Sequence, residues 1–179
     1  MNAWLYGYVG QPWKTNDVLA ANLNRFPDTP GGGVGNDDLG TLAAWYVMAS
    51  LGFEPVMPGS GILALNAPQV QAATLTTDAG APLRIDAAGA NEKLPSYVAG
   101  LEVDGVAHTA AWLDVAALQD GGTLDFDLSG TSAGLTWGTG AADRIPSVSA
   151  VAPPAPVEVE ASARCLGGRA FVAVRATST

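Results

Sequence analysis

The sequence has very little of three things on which common functional sites depend: cysteine, histidine and positive charge. Its 179 residues include one cysteine, Cys165, and one histidine, His108. An internal disulfide is therefore excluded, and a zinc site of the Cys/His type cannot be built. A Ser-His-Asp triad would have to use His108, for which we predict a place at the surface of a β-hairpin and no catalytic role.

Basic residues are also scarce, with 8 Lys and Arg against 17 Asp and Glu, which gives a net charge of −9. So few cations exclude the footprint of a nucleic-acid binder and make an anionic membrane surface an improbable partner. No hydrophobic run approaches the length of a membrane span, and the first residues lack the basic and apolar regions of a signal peptide. Neutral ligands such as sugars remain open.

What the chain does have is apolar residues, at 48%, together with 22 Gly and 12 Pro. This composition predicts a packed core with many loops and mostly β structure. The expected fold class is α+β, an N-terminal helical segment followed by an antiparallel β-sandwich or sheet.

The pattern along the chain predicts one helix from Asn16 or Asp17 to about Phe26 and another from about Asp38 to Leu51. After residue 55 the period changes to that of strands, expected at 62–65, 72–77, 83–86, 97–103 and 124–128. Asp-Gly at 104–105 predicts a type I′ hairpin turn, and a short helix is expected at 113–119. The predicted parts are helices at 1–54, β structure at 55–145, a Pro-rich linker at 146–156 and the start of a β module at 157–179.

The most informative stretch is Gly-Asn-Asp-Asp-Leu-Gly, residues 35–40, which lies between a glycine-rich loop and the second predicted helix. Carboxylates at a helix N-terminus stay ionised, so Asp37 and Asp38 suit a general base or a cation ligand. The simpler reading is that Asp38 caps the helix, and the pattern alone favours it. The same pattern predicts a buried stripe of Leu39, Leu42, Tyr46 and Val47.

Four segments resemble the C-terminal part of glycoside hydrolase family 92, the calcium-dependent exo-α-mannosidases. They are Leu-Tyr-Gly-Tyr-Val-Gly-Gln-Pro-Trp-Lys-Thr at 5–15, Gly-Asn-Asp-Asp-Leu-Gly at 35–40, Ala-Trp-Tyr-Val at 44–47 and Leu-Gly-Phe at 51–53. The resemblance covers about residues 3 to 138 and reverses the preference for simple capping.

The resemblance implies an (α/α)6 barrel, of which the helices would be a remnant, and an inverting hydrolysis in which an acidic pair supplies the base. That pair corresponds to Asp37 and Asp38, and which of them accepts the proton stays open. The resemblance also implies bound calcium, a mannose-containing glycan as substrate and a secreted protein. The family's general acid, a glutamate upstream of Leu5, is expected outside this chain, together with the N-terminal part of the parent enzyme and most calcium ligands.

Gln11, Trp13, Lys14 and Asn36 are the candidate substrate-binding residues. An aromatic face stacks on pyranose C–H groups and Lys binds hydroxyls, whereas the alternative is a packed turn with a solvated lysine. Glu54 stands where the family usually has an aromatic residue. The alternative function is a non-catalytic β-sandwich module that binds carbohydrate or docks a partner, in which Asp37 is only a cap.

Overall fold

The computed structural model describes residues 3–77, 80–91, 94–147, 157–166 and 169–178, the last two ranges as backbone only. The chain divides into two compact units, Met1–Ile145 and Pro146–Thr179. Residues 148–156 of the predicted linker lie outside the described residues, and so does the side chain of Cys165. The boundaries predicted at 54 and 55, and the assignment to a barrel, remain predictions.

Three helices open the first unit, α1 (Leu5–Tyr8), α2 (Pro12–Leu23) and α3 (Thr41–Leu51). α2 begins at Pro12, whose fixed φ and missing N–H suit the first helical turn. The prediction that Asn16 or Asp17 starts this helix is therefore wrong. Asn16 is buried inside it, and its Oδ1 accepts a hydrogen bond from the Ala67 N–H at 2.8 Å.

α3 starts three residues later than predicted and ends as predicted at Gly52, which has a left-handed φ of 101°. The predicted buried stripe is largely wrong, because Leu39 and Val47 are exposed and Ala49 is the one fully buried residue of the helix. None of the described helices has the length and apolarity that crossing a membrane requires.

The strands at 53–54 and 112–114 were not predicted, whereas the others follow the predictions closely. In its described residues the first unit has eight strands. They are β1 (Phe53–Glu54), β2 (Ile62–Leu65), β3 (Ala72–Thr76), β4 (Pro82–Asp86), β5 (Tyr97–Val103), β6 (Val106–Ala107), β7 (Trp112–Asp114) and β8 (Gly122–Ser129). The short helix expected at 113–119 is a 3₁₀ turn, Val115–Leu118. Asp104 and Gly105 have φ of 51° and 75°, which is the left-handed pair of a type I′ turn.

These strands form two sheets, one in the order β1-β2-β7 and one in the order β3-β4-β8-β5-β6. The prediction of purely antiparallel pairing is wrong at one place, because β4 and β8 run parallel, with Ile85 opposite Leu124. The reason is that β4 and β8 are far apart in sequence, so no hairpin fixes their direction.

The β1-β2-β7 sheet stands between two hydrophobic clusters. Alternation along the strands sends Leu63 and Leu65 into a cluster with the larger sheet, and sends Ile62 and Ala64 into a cluster with the helices. Trp4, Leu19 and Leu23 are among the other buried residues of this helical cluster.

A buried asparagine fastens the helices to this sheet. Asn66 accepts a hydrogen bond from the Trp4 Nε1–H at 3.2 Å and donates from Nδ2 to the carbonyls of Ala49 and Ala67, both at 2.9 Å. Three satisfied contacts on one buried amide fix the ends of β2 and α3 relative to each other.

The second unit contains β9 (Val157–Leu166) and β10 (Arg169–Ser178), an antiparallel pair in which Leu166 lies opposite Arg169. Two strands without further covering are marginal in water.

Candidate functional site

The acidic pair is presented by a reversal of the backbone just before α3. Asp38, Leu39 and Gly40 have consecutive left-handed φ values of 47°, 62° and 90°. Asp and Gly tolerate this region, whereas Leu does so at a cost. The three residues turn the chain back, so that Asp37 rather than Asp38 faces the first turn of the helix.

Asp37 therefore serves as the cap of α3. Its Oδ1 accepts the N–H of Ala43 at 2.8 Å, and its carbonyl accepts the N–H of Leu42 at 3.2 Å. The prediction that Asp38 supplies the capping side chain is wrong. Only the Asp38 carbonyl takes part in the helix start, where it accepts a hydrogen bond from the Thr41 hydroxyl at 2.8 Å.

Asp38 lies on a cleft of about 360 Å³ between α2, the glycine-rich loop and α3. The cleft is lined by both polar and apolar residues: Asn22, Arg25, Phe26, Val34, Asn36, Asp38, Thr41, Leu42 and Trp45. Among the described residues, none donates a hydrogen bond to the Asp38 carboxylate. This carboxylate is therefore available to a ligand in the cleft.

A second cleft of about 380 Å³ lies on the other side of Phe26 and Leu42 and includes Asp37. The two adjacent acids thus line different clefts separated by two apolar side chains. Asn36 shares the first cleft with Asp38, so the structure brings these two predicted site residues together.

Gln11, Trp13 and Lys14 lie elsewhere, at the turn between α1 and α2, and line neither cleft. Gln11 and Trp13 are half-buried, and the Lys14 Nζ lies 5.7 Å from the centroid of the Tyr6 ring. This geometry is a cation–π contact at the surface. A shared subsite of this turn and the acidic pair remains a prediction.

The structure also identifies Glu54 as an unusual residue, although the sequence analysis assigned it no role. Burial raises the pKa of this carboxyl to about 7. Glu54 lies opposite Ala64, which lies opposite Trp112, so Glu54 and Trp112 share the helical face of the β1-β2-β7 sheet. The Glu54 Oε2 and the Trp112 Nε1 are both buried and have no hydrogen-bond partner among the residues that the structure describes. The signal in the sequence was an acid where the family usually has an aromatic residue.

Gly-Thr-Ser-Ala-Gly at 130–134 has the letters of a nucleophile elbow, but it follows β8 and no helix follows it before residue 147. Its Ser132 contacts Tyr97, whose hydroxyl donates to Asp17 at 2.6 Å. The hydrogen bond to Asp17 raises the pKa of Tyr97. His108 lies apart, with Nε2 2.8 Å from the Trp112 carbonyl oxygen, so these residues form no triad.

A calcium site needs six to eight oxygen ligands, which carboxylates, carbonyl groups and waters supply. Among the residues that the structure describes, no three Asp, Glu, His or Cys side chains are grouped closely enough to hold a metal ion. Asp37 and Asp38 supply the correct donor type but line different clefts. The described residues therefore do not fit a calcium site by themselves.

The family model and the solved structures that match this chain belong to the same protein family. The sequence model of the Glycosyl hydrolase family 92 catalytic domain matches residues 1–130. The solved GH92 α-mannosidase BT3965 from Bacteroides thetaiotaomicron is 31% identical, with a TM-score of 0.76 over 82% of this chain and 20% of its own. The inverting GH92 mannosidase BT2199 from the same organism is also 31% identical, with a TM-score of 0.74 over 82% of this chain and 20% of its own.

An uncharacterized secreted glycosidase of Arthroderma benhamiae is 28% identical over 82% of this chain and 19% of its own length. The chain thus spans about a fifth of the length of these relatives. The family match includes the acidic pair, its cleft and the β1-β2-β7 sheet. The chain belongs to glycosyl hydrolase family 92.

Proposed function

We propose that this chain is the base-bearing part of an inverting exo-α-mannosidase that hydrolyses terminal α-mannosides. The observation that carries the proposal is the Asp38 carboxylate, which is free of hydrogen bonds from the described residues and lies beside Asn36 on an open cleft. It stands within a segment that belongs to glycosyl hydrolase family 92.

The division of labour between the two acids follows from their contacts. Asp37 is engaged by the helix through its 2.8 Å bond from Ala43, so we assign it to holding the segment in place. We assign the base to Asp38, because a general base must keep an oxygen available for the water it activates. Asn36, on the same cleft, is assigned to a substrate hydroxyl.

In the proposed reaction, Asp38 takes a proton from water while the water oxygen forms a bond to the anomeric carbon. The bond from that carbon to the leaving oxygen breaks on the opposite face, and the leaving oxygen receives a proton from a general acid. Inversion requires the two carboxyl groups to be roughly 6.5–9.5 Å apart, so that the water fits between base and sugar. We assign the acid to the glutamate expected upstream of Leu5.

Mannose specificity is supported by the relatives. BT3965 has been solved in complex with mannoimidazole, and BT2199 is described as an inverting mannosidase. We extend both properties to this protein, and we extend secretion from the glycosidase of Arthroderma benhamiae. Gln11, Trp13 and Lys14 would form an outer sugar contact, whereas calcium is assigned no step because the described residues do not fit it.

The test is chemical rescue in the longest form of the protein that hydrolyses an aryl α-mannoside. Asp38→Ala should lower kcat by about 10²–10⁴-fold, and azide should restore turnover by replacing the activated water and yield a β-mannosyl azide. Asp37→Ala should lose stability, with no rescue by azide. If azide rescues the Asp37 variant and leaves the Asp38 variant inactive, the assignment of the base is reversed.

We expect no turnover from the 179-residue chain by itself, because it spans about a fifth of the length of its relatives and a partial pocket makes only part of the contacts to the transition state. Measurable α-mannosidase activity of this purified chain would contradict that. Unchanged kcat in both Asp variants of the active form would favour the non-catalytic binding module instead.

A further inference from the structure

Residues 137–145, here called the strap, pack against both halves of the first unit although they follow the end of the family match at 130. On the sheet side, the Gly138 N–H donates to the Thr109 carbonyl at 3.0 Å and the Ala111 N–H donates to the Asp143 carbonyl at 2.8 Å. The Thr109 hydroxyl donates to the Asp143 Oδ1 at 2.7 Å. The Trp137 Nε1–H donates to the His108 carbonyl at 2.9 Å.

On the helical side, the strap contacts the turn that joins α1 to α2. The Ile145 N–H donates to the Gly7 carbonyl at 3.3 Å, and the Ile145 side chain is buried in the helical cluster. A Cβ placed on Gly7 would lie 2.5 Å from the Ile145 Cδ1. A side chain at Gly7 would force the Ile145 side chain to move, so this glycine favours the close approach of the strap to α1.

Two further glycines make the same contact tight. A Cβ on Gly10 would lie 2.8 Å from the Thr139 carbonyl oxygen and 2.8 Å from the Arg144 Nε. A Cβ on Gly138 would lie 3.0 Å from the Pro12 Cγ and 2.9 Å from the Ala111 Cβ. The Gly10 backbone thus lies against the Thr139 carbonyl, and the Gly138 backbone lies against the side chains of Pro12 and Ala111, so a methyl group at either glycine would force a neighbour to move.

We propose that the strap is a positioning element for the turn that carries Gln11, Trp13 and Lys14. Pro12 is the first residue of α2, and its Cγ lies against Gly138, so the strap restricts where the neighbouring Gln11 and Trp13 can lie. The Gln11 N–H donates to the Tyr6 carbonyl at 2.9 Å, and the Lys14 N–H donates to the Gln11 carbonyl at 3.0 Å. These two amides report on whether the turn stays closed.

The role of this turn in holding sugar rests on the proposed function, whereas the clamping itself does not. The order it imposes should matter for binding, because a preorganised turn loses less conformational entropy when a ligand engages it. Arg144, exposed beside Gly10, covers the turn from the solvent side.

The experiment compares Gly138→Ala with Gly134→Ala in the 179-residue chain. Gly134 has a φ of 76° and open space around its Cβ position, whereas Gly138 has a φ of 71° and no space. The two variants therefore carry similar backbone strain, and only Gly138→Ala places a methyl group against the Pro12 Cγ and the Ala111 Cβ. Amide hydrogen exchange at Gln11 and Lys14 is measured relative to the core amides of Ile85 and Leu124.

Gly138→Ala should speed relative exchange at Gln11 and Lys14 by about tenfold over Gly134→Ala. Equal exchange in the two variants would overturn the proposal. Should Gly138→Ala not fold, the double variant Asp143→Ala with Arg144→Ala removes the bond from Thr109 and the cover over Gly10 without adding atoms. This double variant should then speed amide exchange at Gln11 and Lys14. Unchanged exchange at these two amides would likewise overturn the proposal.

Sugar binding is measured separately, from the change in the indole signal of Trp13 during titration with methyl α-mannoside. A strap role in binding predicts a several-fold weaker response in Gly138→Ala than in Gly134→Ala. A wild-type chain whose Trp13 signal never moves would refute the sugar contact at this turn and leave the exchange result to decide on clamping.

Discussion

Glu54 has a carboxyl group whose pKa rises when the chain folds. Its carboxyl faces the helical cluster beside Ala64, and burial there raises its pKa to about 7. The protonated form is the one that the folded state prefers. The unfolded chain ionises the same group near its ordinary value of 4.5.

Stability should therefore fall as pH rises from about 4.5 to about 7, the window between the two pKa values. Below the unfolded value both states are protonated and Glu54 costs nothing. Above the folded value the penalty is complete, on the order of 1–2 kcal/mol after a discount for partial exposure. Glu54→Gln should remove this dependence and be the more stable protein at pH 8, measured by urea unfolding at a series of pH values.

The matched control is Glu102→Gln, since Glu102 is exposed on β5. It should leave the slope of stability against pH between 4.5 and 7 as in the wild type. A Glu54→Gln variant with that same slope would contradict the assignment of the pH dependence to Glu54.

The acidic pair gives a second prediction at this scale. Asp37→Ala should cost about 1 kcal/mol, because the Ala43 N–H loses its acceptor. Asp38→Asn should change stability by no more than about 0.5 kcal/mol, because Asn tolerates the left-handed φ and the exposed carboxylate has no donor to lose among the described residues. Thermal unfolding of both variants measures this, and a larger loss for Asp38→Asn would reverse the roles assigned to the two acids.

The sequence predicted this site only in part. It placed the acids at the start of a helix, yet named the nearer acid as the cap. Gly40 predicts one residue with a left-handed φ, but the residue types at 38 and 39 do not predict that Asp38 and Leu39 also have left-handed φ values. That reversal is what moves Asp37 to the helix and leaves Leu39 in solvent.

Among the secondary structure elements, the strands were predicted well because their signals are local. Alternation at Leu124 and Phe126 identified the buried face of β8, and Asp-Gly identified the hairpin. The start of α2 was predicted wrongly because, in the sequence alone, Asn16 has the residue type and position of a helix N-cap. In the fold, the side-chain oxygen of Asn16 accepts a hydrogen bond from Ala67, which is 51 residues away in sequence. A local sequence pattern cannot predict a contact over that separation.

The β5–β6 hairpin gives a prediction that tests such a local signal. Asp104 has a φ of 51°, and its Oδ1 accepts the Thr123 N–H of β8 at 2.8 Å. Asp104→Ala should cost about 1–3 kcal/mol, from strain and from the lost bond. Asp104→Asn should recover most of this, since Asn keeps both the left-handed preference and an acceptor.

Denaturant melts of the two variants measure the difference. Equal losses for Ala and Asn at Asp104 would show that neither the backbone preference nor the acceptor matters there.

For the whole molecule, the prediction concerns metal. The residues described here do not fit a calcium site, so millimolar calcium should shift the melting temperature of the chain by no more than about 1 °C relative to a chelator, because a ligand stabilises only in proportion to its affinity. Magnesium is the control for general ionic effects. A rise of several degrees with calcium alone, lost in Asp38→Asn, would show a calcium site that includes Asp38.

Several apolar side chains on the helical side stay in solvent, among them Leu5, Val9 and Val47. Their exposure accompanies the fact that the chain spans about a fifth of the length of its relatives. Sequence periodicity could not have identified these residues, because it marks a face as apolar without saying what covers it.

The β1-β2-β7 sheet lies between the two hydrophobic clusters, and this position affects how the first unit unfolds. Leu63 and Ala64, neighbours on β2, belong to different clusters, so loosening either cluster exposes the back of the other. The helices and the larger sheet therefore cannot melt independently at little cost. Calorimetry of the first unit should show a single cooperative transition, with equal calorimetric and van't Hoff enthalpies.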